Sequence, residues 1–491
     1  MTKGHRSAIT ILMGLYRLLA QIQGEISVTK AATLGQLKES GYTPKPVRSE
    51  LRDNLLTKLR LGEPVFTGIV GYDETVVPAV ENAILAGHDI IFLGERGQAK
   101  SRIMRDLTKL LDPEIPAVAG CEINDDPLAP FCSACRTLLA EHGDDTPIVW
   151  LTPDDRYAEK LATPDISVAD LIGEVDPIKV AEGRYLSDEL TIHYGLIPRV
   201  NRGVFAINEL PDLAERIQVA LLNLLEERDI QIRGYKIRLP LDIMLCASAN
   251  PEDYTNRGRI ITPLKDRFGA QIRTHYPTTT DEEVDIMVQE AHPLDVGVPV
   301  RFPRYMKEII AELTHQARRS PQVNQRSGVS VRLSICNFET VGASAVKRSV
   351  RLAETEAVPR ISDLEAVASS TLGKIEVEAL EEGREIDILT KLIRQAVFAV
   401  FQRELRGEAF AELIQRFDDE GLIVEAAAAL GSEEFCRQFG DLKGMARALE
   451  KLEAGESPAT TAAALEFICE GLHLGKRLNK TPTAAGARYG R

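Results

Sequence analysis

Two hydrophobic periods divide this chain. Between residues 8 and 60 the apolar side chains recur at helical spacing, with Leu15, Leu18, Leu19, Ile22, Leu51, Leu55 and Leu59 on repeating faces and Gly41 to Pro46 as a break. From residue 61 onward, short β-rich runs alternate with longer amphipathic stretches. His88–Leu93, Pro147–Leu151, Val204–Asn208, Ile243–Ala247 and Ala270–Tyr276 are the predicted strands. Most are near-continuous apolar runs, the mark of strands covered on both faces. Helical patterns such as Leu213, Ile217, Leu221 and Leu224 lie between them. Strand and helix alternating in this way predict a parallel α/β sheet.

Two stretches exceed a plain doubly wound domain. Residues 152–203 are too many for an ordinary crossover, so an insertion is expected over 152–200. Residues 229–240, with Ile230 and Ile232 before Gly234-Tyr235 and Ile237 and Leu239 after, read as a β-hairpin. Beyond residue 278 the pattern is helical to the end. Glu308–Arg319, Arg332–Glu354, Ser362–Leu372 and Ile386–Leu405 carry the period, and the Ala-rich Glu425–Leu430 and Pro458–Leu465 continue it. The acidic run Glu376–Glu385 reads as a solvated helix face. The last stretch, 475–491, has five basic residues and no acid among Gly, Ala, Thr and Asn, and is expected to be disordered. The expected parts are an N-terminal helical segment (1–60), an α/β core (61–277), a helical lid (278–372), a C-terminal helical domain (373–474) and the basic tail (475–491).

Composition narrows the function. The chain has 491 residues, 44% apolar and 27% charged, which are globular proportions for about three domains. A net charge of −14 and 5% aromatics disfavour a nucleic-acid coat or a base-stacking surface. No apolar run approaches the roughly 18–20 residues of a membrane span. Lys3, His5 and Arg6 precede an apolar run from Ala8 to Tyr16, but Arg17 interrupts it and no small-residue cleavage site follows. The start therefore reads as an amphipathic helix, and a cytoplasmic protein is expected. Seven cysteines in this length form no disulfide framework.

The strongest chemical signal is Gly94-Glu95-Arg96-Gly97-Gln98-Ala99-Lys100-Ser101, between a predicted strand and a predicted helix (102–111). That is the setting of a phosphate loop. Backbone N–H groups there would cradle phosphate oxygens, Lys100 would neutralise the β and γ phosphates, and Ser101 would ligate Mg²⁺. Ala99 stands where Gly is usual and is acceptable if its φ is negative. The run 203–209 ends in Asn208 and Glu209. Glu209 is a candidate general base for a water; Asn208 can accept a hydrogen bond from a metal-bound water but brings no charge. Asn250 ends the next strand and can position the same water. Arg267 in LKDRFG and Arg332 in SVRLS are cations suited to a developing γ-phosphate charge.

This ordered set resembles the AAA+ ATPases, and within them the magnesium-chelatase motor-subunit and MoxR branch. That branch carries Ala before the loop Lys. Residues 162–176 and 199–203 resemble the chelatase insertion, and the likeness spans about residues 65–340. It implies an AAA+ phosphate-loop core with a parallel sheet, chelatase-type insertions and a helical lid. It further implies a ring, a homo-hexamer, with ATP and Mg²⁺ at subunit boundaries. In that scheme Lys100, Ser101, Asn208, Glu209 and Asn250 act in cis, Arg267 acts on the neighbour's ATP, and Arg332 is a second sensor. The loops at 152–200 and 229–240 face partner or substrate. The expected activity is ATP hydrolysis that remodels a partner protein bearing a von Willebrand A, metal-adhesion-site domain. The alternatives are the chelatase motor for porphyrin metallation, against which the long terminal helical regions count, and a nucleotide-gated scaffold, which Asn208 favours. A sigma-54 activator is set aside because its Gly-Ala-Phe-Thr-Gly-Ala loop is absent.

One cluster lies outside this set. Cys121, Cys132 and Cys135 have a Cys-x-x-Cys pair and a third thiol upstream, which suits structural Zn²⁺, with His142, Asp125 or Asp126 as the fourth ligand. Cys246, Cys336, Cys436 and Cys469 sit in apolar contexts and are expected in cores.

Overall fold

The structure, a computed structural model, describes residues 30–491 apart from 177, 179–180, 182–188, 232–237, 251–258, 326–327, 379–382, 428 and 484–485. The expected helix over 8–29, the tip of the 229–240 hairpin, part of the 152–200 insertion and the middle of the acidic run therefore lie outside the described residues. The chain forms two compact units. The first holds the residues up to Gly94 and Ala99–Thr274, and the second holds Glu95–Gln98 and His275–Arg491.

The strands of the first unit are, in order, β1 (Ile90–Leu93), β2 (Ile115–Val118), β3 (Ile148–Leu151), β4 (Tyr157–Leu161), β5 (Gly173–Val175), β6 (Ile192–Tyr194), β7 (Gly203–Asn208), β8 (Asp229–Gln231), β9 (Arg238–Pro240), β10 (Ile243–Ala249) and β11 (Ala270–Arg273). Five of them make the central sheet, ordered β11-β1-β10-β7-β4, with every pairing parallel. Successive side chains of a strand point to opposite faces. Ile90, Phe92, Val204, Ala206, Met244 and Cys246 pack on one face with helices Val47–Leu61, Val76–Ala86 and Lys100–Asp106. Ile91, Phe205, Ile207, Leu245 and Ala247 pack on the other with helix Glu215–Glu226. Both faces being covered is why these strands read as unbroken apolar runs.

The sheet corrects one predicted strand. Residues 148–151 do form a strand, but it pairs antiparallel with β2 in a separate ribbon. The place beside β7 is taken by β4, which no apolar run announced. β4 is an edge strand of sequence Tyr-Ala-Glu-Lys-Leu, half-buried except at the exposed Leu161. The inserted material is therefore split, with one part (115–151) before β4 and another (162–202) after it. The 229–240 hairpin is present as β8 paired with β9.

Helix Val47–Leu61 is tied to this edge by a buried ion pair. Arg156 donates from Nη1 to Glu50 Oε1 at 2.7 Å and from Nη2 to Oε2 at 2.6 Å, and its Nε donates to the Arg202 carbonyl at 2.8 Å. Both side chains are at most 2% exposed.

The second unit has one continuous core running from Met287 to Tyr489. The expected lid and C-terminal helical domain thus share it. Helices Arg304–Arg319 and Pro458–Leu474, one from each expected part, meet where Tyr305 stacks on Phe467 with ring centroids 4.5 Å apart. Two further expectations are overturned. The basic tail is not disordered: β13 (Asn479–Thr483) and β14 (Gly486–Gly490) form a sheet with β12 (Val424–Ala427), in the order β12-β14-β13. Tyr489 anchors it, 1% exposed, its hydroxyl donating to Glu470 Oε2 at 2.5 Å while Lys480 Nζ donates to the same oxygen at 2.8 Å. Helix was expected over Glu425–Leu430, but residues 424–427 are strand, with Val424 and Ala426 turned inward while Glu425 faces out. Cys246 and Cys469 are fully buried as expected, whereas Cys336 and Cys436 are only half-buried. Among the described residues no helix is long and apolar enough to cross a membrane.

Removing one partner of a buried ion pair leaves the other charge uncompensated, at a cost of about 3–5 kcal/mol. Glu50→Ala is expected to lower the unfolding free energy of the first unit by that amount in urea titration. A loss under about 1 kcal/mol, the figure for an exposed pair, would show that the pair is not buried in solution.

Candidate functional site

The parallel order aligns the C-terminal ends of β1, β10, β7 and β4, the edge where open α/β sheets bind ligands. Gly94 ends the first of these, its N–H donating to the Ala249 carbonyl at 3.1 Å. Residues 94–101 then turn into helix Lys100–Asp106. Gly97 sits at φ 75°, and a Cβ there would lie 2.0 Å from Ser330 Oγ, so glycine is required on both counts. Ala99 is the helix N-cap at φ 55°, ψ 13°. The condition of a negative φ, under which Ala would fit freely, is not met: the loop keeps the left-handed turn that glycine normally supplies, and Ala accepts its steric cost.

Two hydrogen-bonded chains run from this loop across the strand ends. In the first, buried Lys100 donates from Nζ to the Gly94 carbonyl at 2.5 Å and to Asn250 Oδ1 at 2.7 Å. Asn250 in turn donates from Nδ2 to Glu209 Oε2 at 2.7 Å. In the second, Ser101 Oγ donates to Asn208 Oδ1 at 2.7 Å, and Asn208 Nδ2 donates to Glu159 Oε1 at 2.5 Å. Ser248 Oγ joins the chains, donating to Asn208 Oδ1 at 3.2 Å and accepting from the Glu209 N–H at 3.2 Å. Glu209 itself sits in the left-handed region (φ 55°, ψ 49°). Such a conformation persists only where its surroundings hold it; here its N–H and its carboxylate are both bonded.

The structure thus brings Lys100, Ser101, Asn208, Glu209 and Asn250 into one network, and it adds two residues that were missed. Glu159 lies on β4, where Leu161 pairs with Asn208 in register. Its second oxygen accepts from Arg105 Nη2 at 2.7 Å and from the Tyr157 hydroxyl at 3.1 Å. Burial, then the Glu159 carboxylate, push the Tyr157 pKa up, and the hydrogen bond to Glu159 raises that of Arg105. Tyr157–Leu161 has no apolar/polar alternation, so Glu159 is legible only once β4 is known to flank β7. Ser248 lies between Ala247, where the predicted strand ends, and Asn250, and its sequence context carries no signal of its own. Chemically, the hydroxyl of Ser101, the amide oxygen of Asn208 and the carboxylate of Glu159 are the hard oxygen donors that suit Mg²⁺.

The remaining sequence candidates lie apart from these bonds. Glu95, Arg96, Gly97 and Gln98 group with the second unit, where the Tyr276 hydroxyl donates to the Arg96 carbonyl at 3.0 Å. Gly328, at φ 65°, leaves room there for the Glu95 carboxylate, which a Cβ would meet at 2.4 Å. Arg267 is paired with Glu226, its Nε donating to Oε2 at 2.7 Å, and its Nη1 donates to the Pro263 carbonyl at 2.9 Å. Arg332 opens helix Arg332–Arg351 of the second unit with an exposed side chain. Cys121, Cys132 and Cys135 do come together, and the fourth member is Asp125, not His142 or Asp126.

A left-handed residue other than glycine costs about 1 kcal/mol or more. Ala99→Gly is therefore expected to raise the unfolding free energy of the first unit by about 1 kcal/mol. A decrease, read in the same urea titration, would place Ala99 at negative φ in solution.

No protein-family profile matches the chain. The uncharacterized protein YeaC of Bacillus subtilis (strain 168) is 25% identical over 263 residues, covering 49% of this chain and 76% of that protein. Magnesium-chelatase subunit ChlI of Euglena gracilis is 28% identical over 224 residues, covering 43% of this chain and 58% of the subunit. Among solved structures, a chain of the complex between subunits BchI and BchD of magnesium chelatase is 19% identical, covering 70% of this chain and 98% of its own at a TM-score of 0.31. NtrX from Brucella abortus in complex with ADP is 13% identical, covering 86% of this chain and 76% of its own at a TM-score of 0.39. Superpositions this loose carry no weight beside the sequence relatives, the parallel sheet and the loop that follows β1. In sequence and in fold, this chain resembles the AAA+ ATPases of the magnesium-chelatase type.

Proposed function

We propose that this protein binds ATP with Mg²⁺ and hydrolyses it in a ring of identical subunits, a homo-hexamer, to remodel a partner protein. The observation that supports this reading best is the pair of hydrogen-bonded chains from Lys100 to Glu209 and from Ser101 to Glu159. Phosphate oxygens would displace Asn250 from Lys100. Glu209, held by Asn250, would polarise the attacking water. Mg²⁺ would be held by Ser101, with Asn208 and Glu159 behind it, and would neutralise charge on the transferring phosphoryl group. Glu159 is the carboxylate this reading needs. Asn208 has no charge of its own, and Glu159 restores one a single hydrogen bond away. Arg267 would leave Glu226 to act on the neighbouring subunit's ATP, and Arg332 would act as the second sensor from the lid. The partner of this reading bears a von Willebrand A domain. Zinc, if the cysteine cluster holds it, takes no part in the nucleotide chemistry.

The reading of ATP as a gate on a scaffold has one observation in its favour, the neutral Asn208 at the end of β7. Turnover decides between them. A positioned general base contributes about 10²–10⁴-fold, so the purified protein should hydrolyse Mg²⁺-ATP at least about 100 times faster than Glu209→Gln. Tight ATP binding with turnover no faster than that variant would establish the scaffold, and no ATP binding would sink both readings.

Glu159 has its own test. Loss of a residue behind a metal ligand typically costs about 10–100-fold in metal affinity. Glu159→Gln should raise by that factor the Mg²⁺ concentration needed for tight ATP binding, with metal-free nucleotide affinity unchanged. An unchanged Mg²⁺ requirement would remove Glu159 from the metal site.

A further inference from the structure

The segment from Cys121 to Cys135 connects β2 to helix Ser133–His142 and contains Pro127 and Pro130. Ile123 is buried in it, and so are the polar Asn124 and Asp125 and the thiols of Cys132 and Cys135. The sulfurs of Cys121, Cys132 and Cys135 and a carboxylate oxygen of Asp125 all lie within 4.8 Å of one another. Tetrahedral Zn²⁺ at about 2.3 Å from sulfur and about 2.0–2.2 Å from oxygen holds its ligands roughly 3.5–3.8 Å apart, so small side-chain adjustments close the site.

Asp125 is the independent observation. Its side chain is fully buried. Oδ2 accepts hydrogen bonds from the Phe131 N–H at 3.1 Å and the Cys132 N–H at 2.9 Å. Oδ1 has no hydrogen-bond partner. A buried carboxylate oxygen left unpaired is destabilising, and a coordinated cation removes that cost. The sulfurs are prepared for charge as well. Cys121 Sγ accepts from the Asp125 N–H and Cys132 Sγ from the Cys135 N–H, each at 3.3 Å. Three thiols cannot all pair as disulfides, and soft thiolates with one carboxylate select zinc over Mg²⁺ or Ca²⁺.

We propose that Cys121, Asp125, Cys132 and Cys135 bind one structural Zn²⁺, with Asp125 a one-oxygen ligand through Oδ1. The ion pins the first inserted segment, and residues beside its ligands hold the second. Asn124, next to Asp125, donates from Nδ2 to the Arg199 carbonyl at 2.9 Å. Ser133, between the paired cysteines, donates from its N–H to Glu189 Oε1 at 3.0 Å and from its hydroxyl to Glu189 Oε2. Glu189 and Arg199 stand on either side of β6. Zinc therefore fixes the base of the 162–202 insertion and leaves the phosphate loop untouched.

Elemental analysis of the full chain, purified without chelator, should find one zinc per chain. The zinc-stripped, reduced chain should take up Co²⁺ one to one with the visible bands of a tetrahedral thiolate site. Glu209→Gln should keep its zinc, which separates this outcome from any failure of the ATPase reading. Stripping zinc should speed proteolysis within 162–202 and leave ATP affinity unchanged. A reduced wild-type chain that takes up neither Zn²⁺ nor Co²⁺ would overturn the proposal without reliance on any variant. So would a folded Cys135→Ser variant that retains full zinc.

Discussion

Asn208 is hydrogen-bonded through both ends of its amide, and this joins the phosphate loop to the edge of the sheet. Its oxygen accepts from Ser101 and Ser248, and its nitrogen donates to Glu159. An aspartate in its place would set two carboxylates in contact, which disfavours ionising both unless a cation intervenes. The neutral amide and the neighbouring glutamate therefore form a matched pair. One charge is kept, and it sits on the adjacent strand. This arrangement demands the parallel pairing of β4 with β7, because a shift of one residue would turn Glu159 to the opposite face.

Much of this was legible in the chain. Lys100 and Ser101 follow an apolar strand and open a helix, and few structures satisfy that local order except a loop wrapped around an anion. Asn208, Glu209 and Asn250 were found because each ends an apolar run. Both faces of β7 and β10 are covered, so their sequences carry a strong signal. The same logic explains the failures. β4 lies at the edge, and its side chains compromise between sheet and solvent, so neither the strand nor Glu159 stood out. The φ of Ala99 was not legible because a residue's identity limits its φ without setting it. Here the loop's closure outweighs a modest steric penalty.

The second unit was misjudged for a different reason. A basic, Gly- and Ala-rich tail has the composition of a disordered segment. Tyr489 reverses that outcome by filling a buried position beside Glu470, and two strand pairings follow. One large side chain in a poor segment can supply the anchor that average composition conceals. The Ala-rich stretch at 424–427 yields to the same sheet, since its helix propensity is worth only tenths of a kcal/mol per residue against a complete ladder.

The position of β14 has a consequence for how the protein is made. It is the middle strand of its sheet, yet it follows both of its neighbours in sequence. During synthesis β12 emerges with an unpaired edge and waits through residues 428–485 before its partner leaves the ribosome. β13 and β14 are antiparallel neighbours separated by two residues of sequence, so they can close on each other as a local hairpin. The sheet is completed only when that hairpin docks β14 against β12. Until then, the edge of β12 is open to strands of other nascent chains.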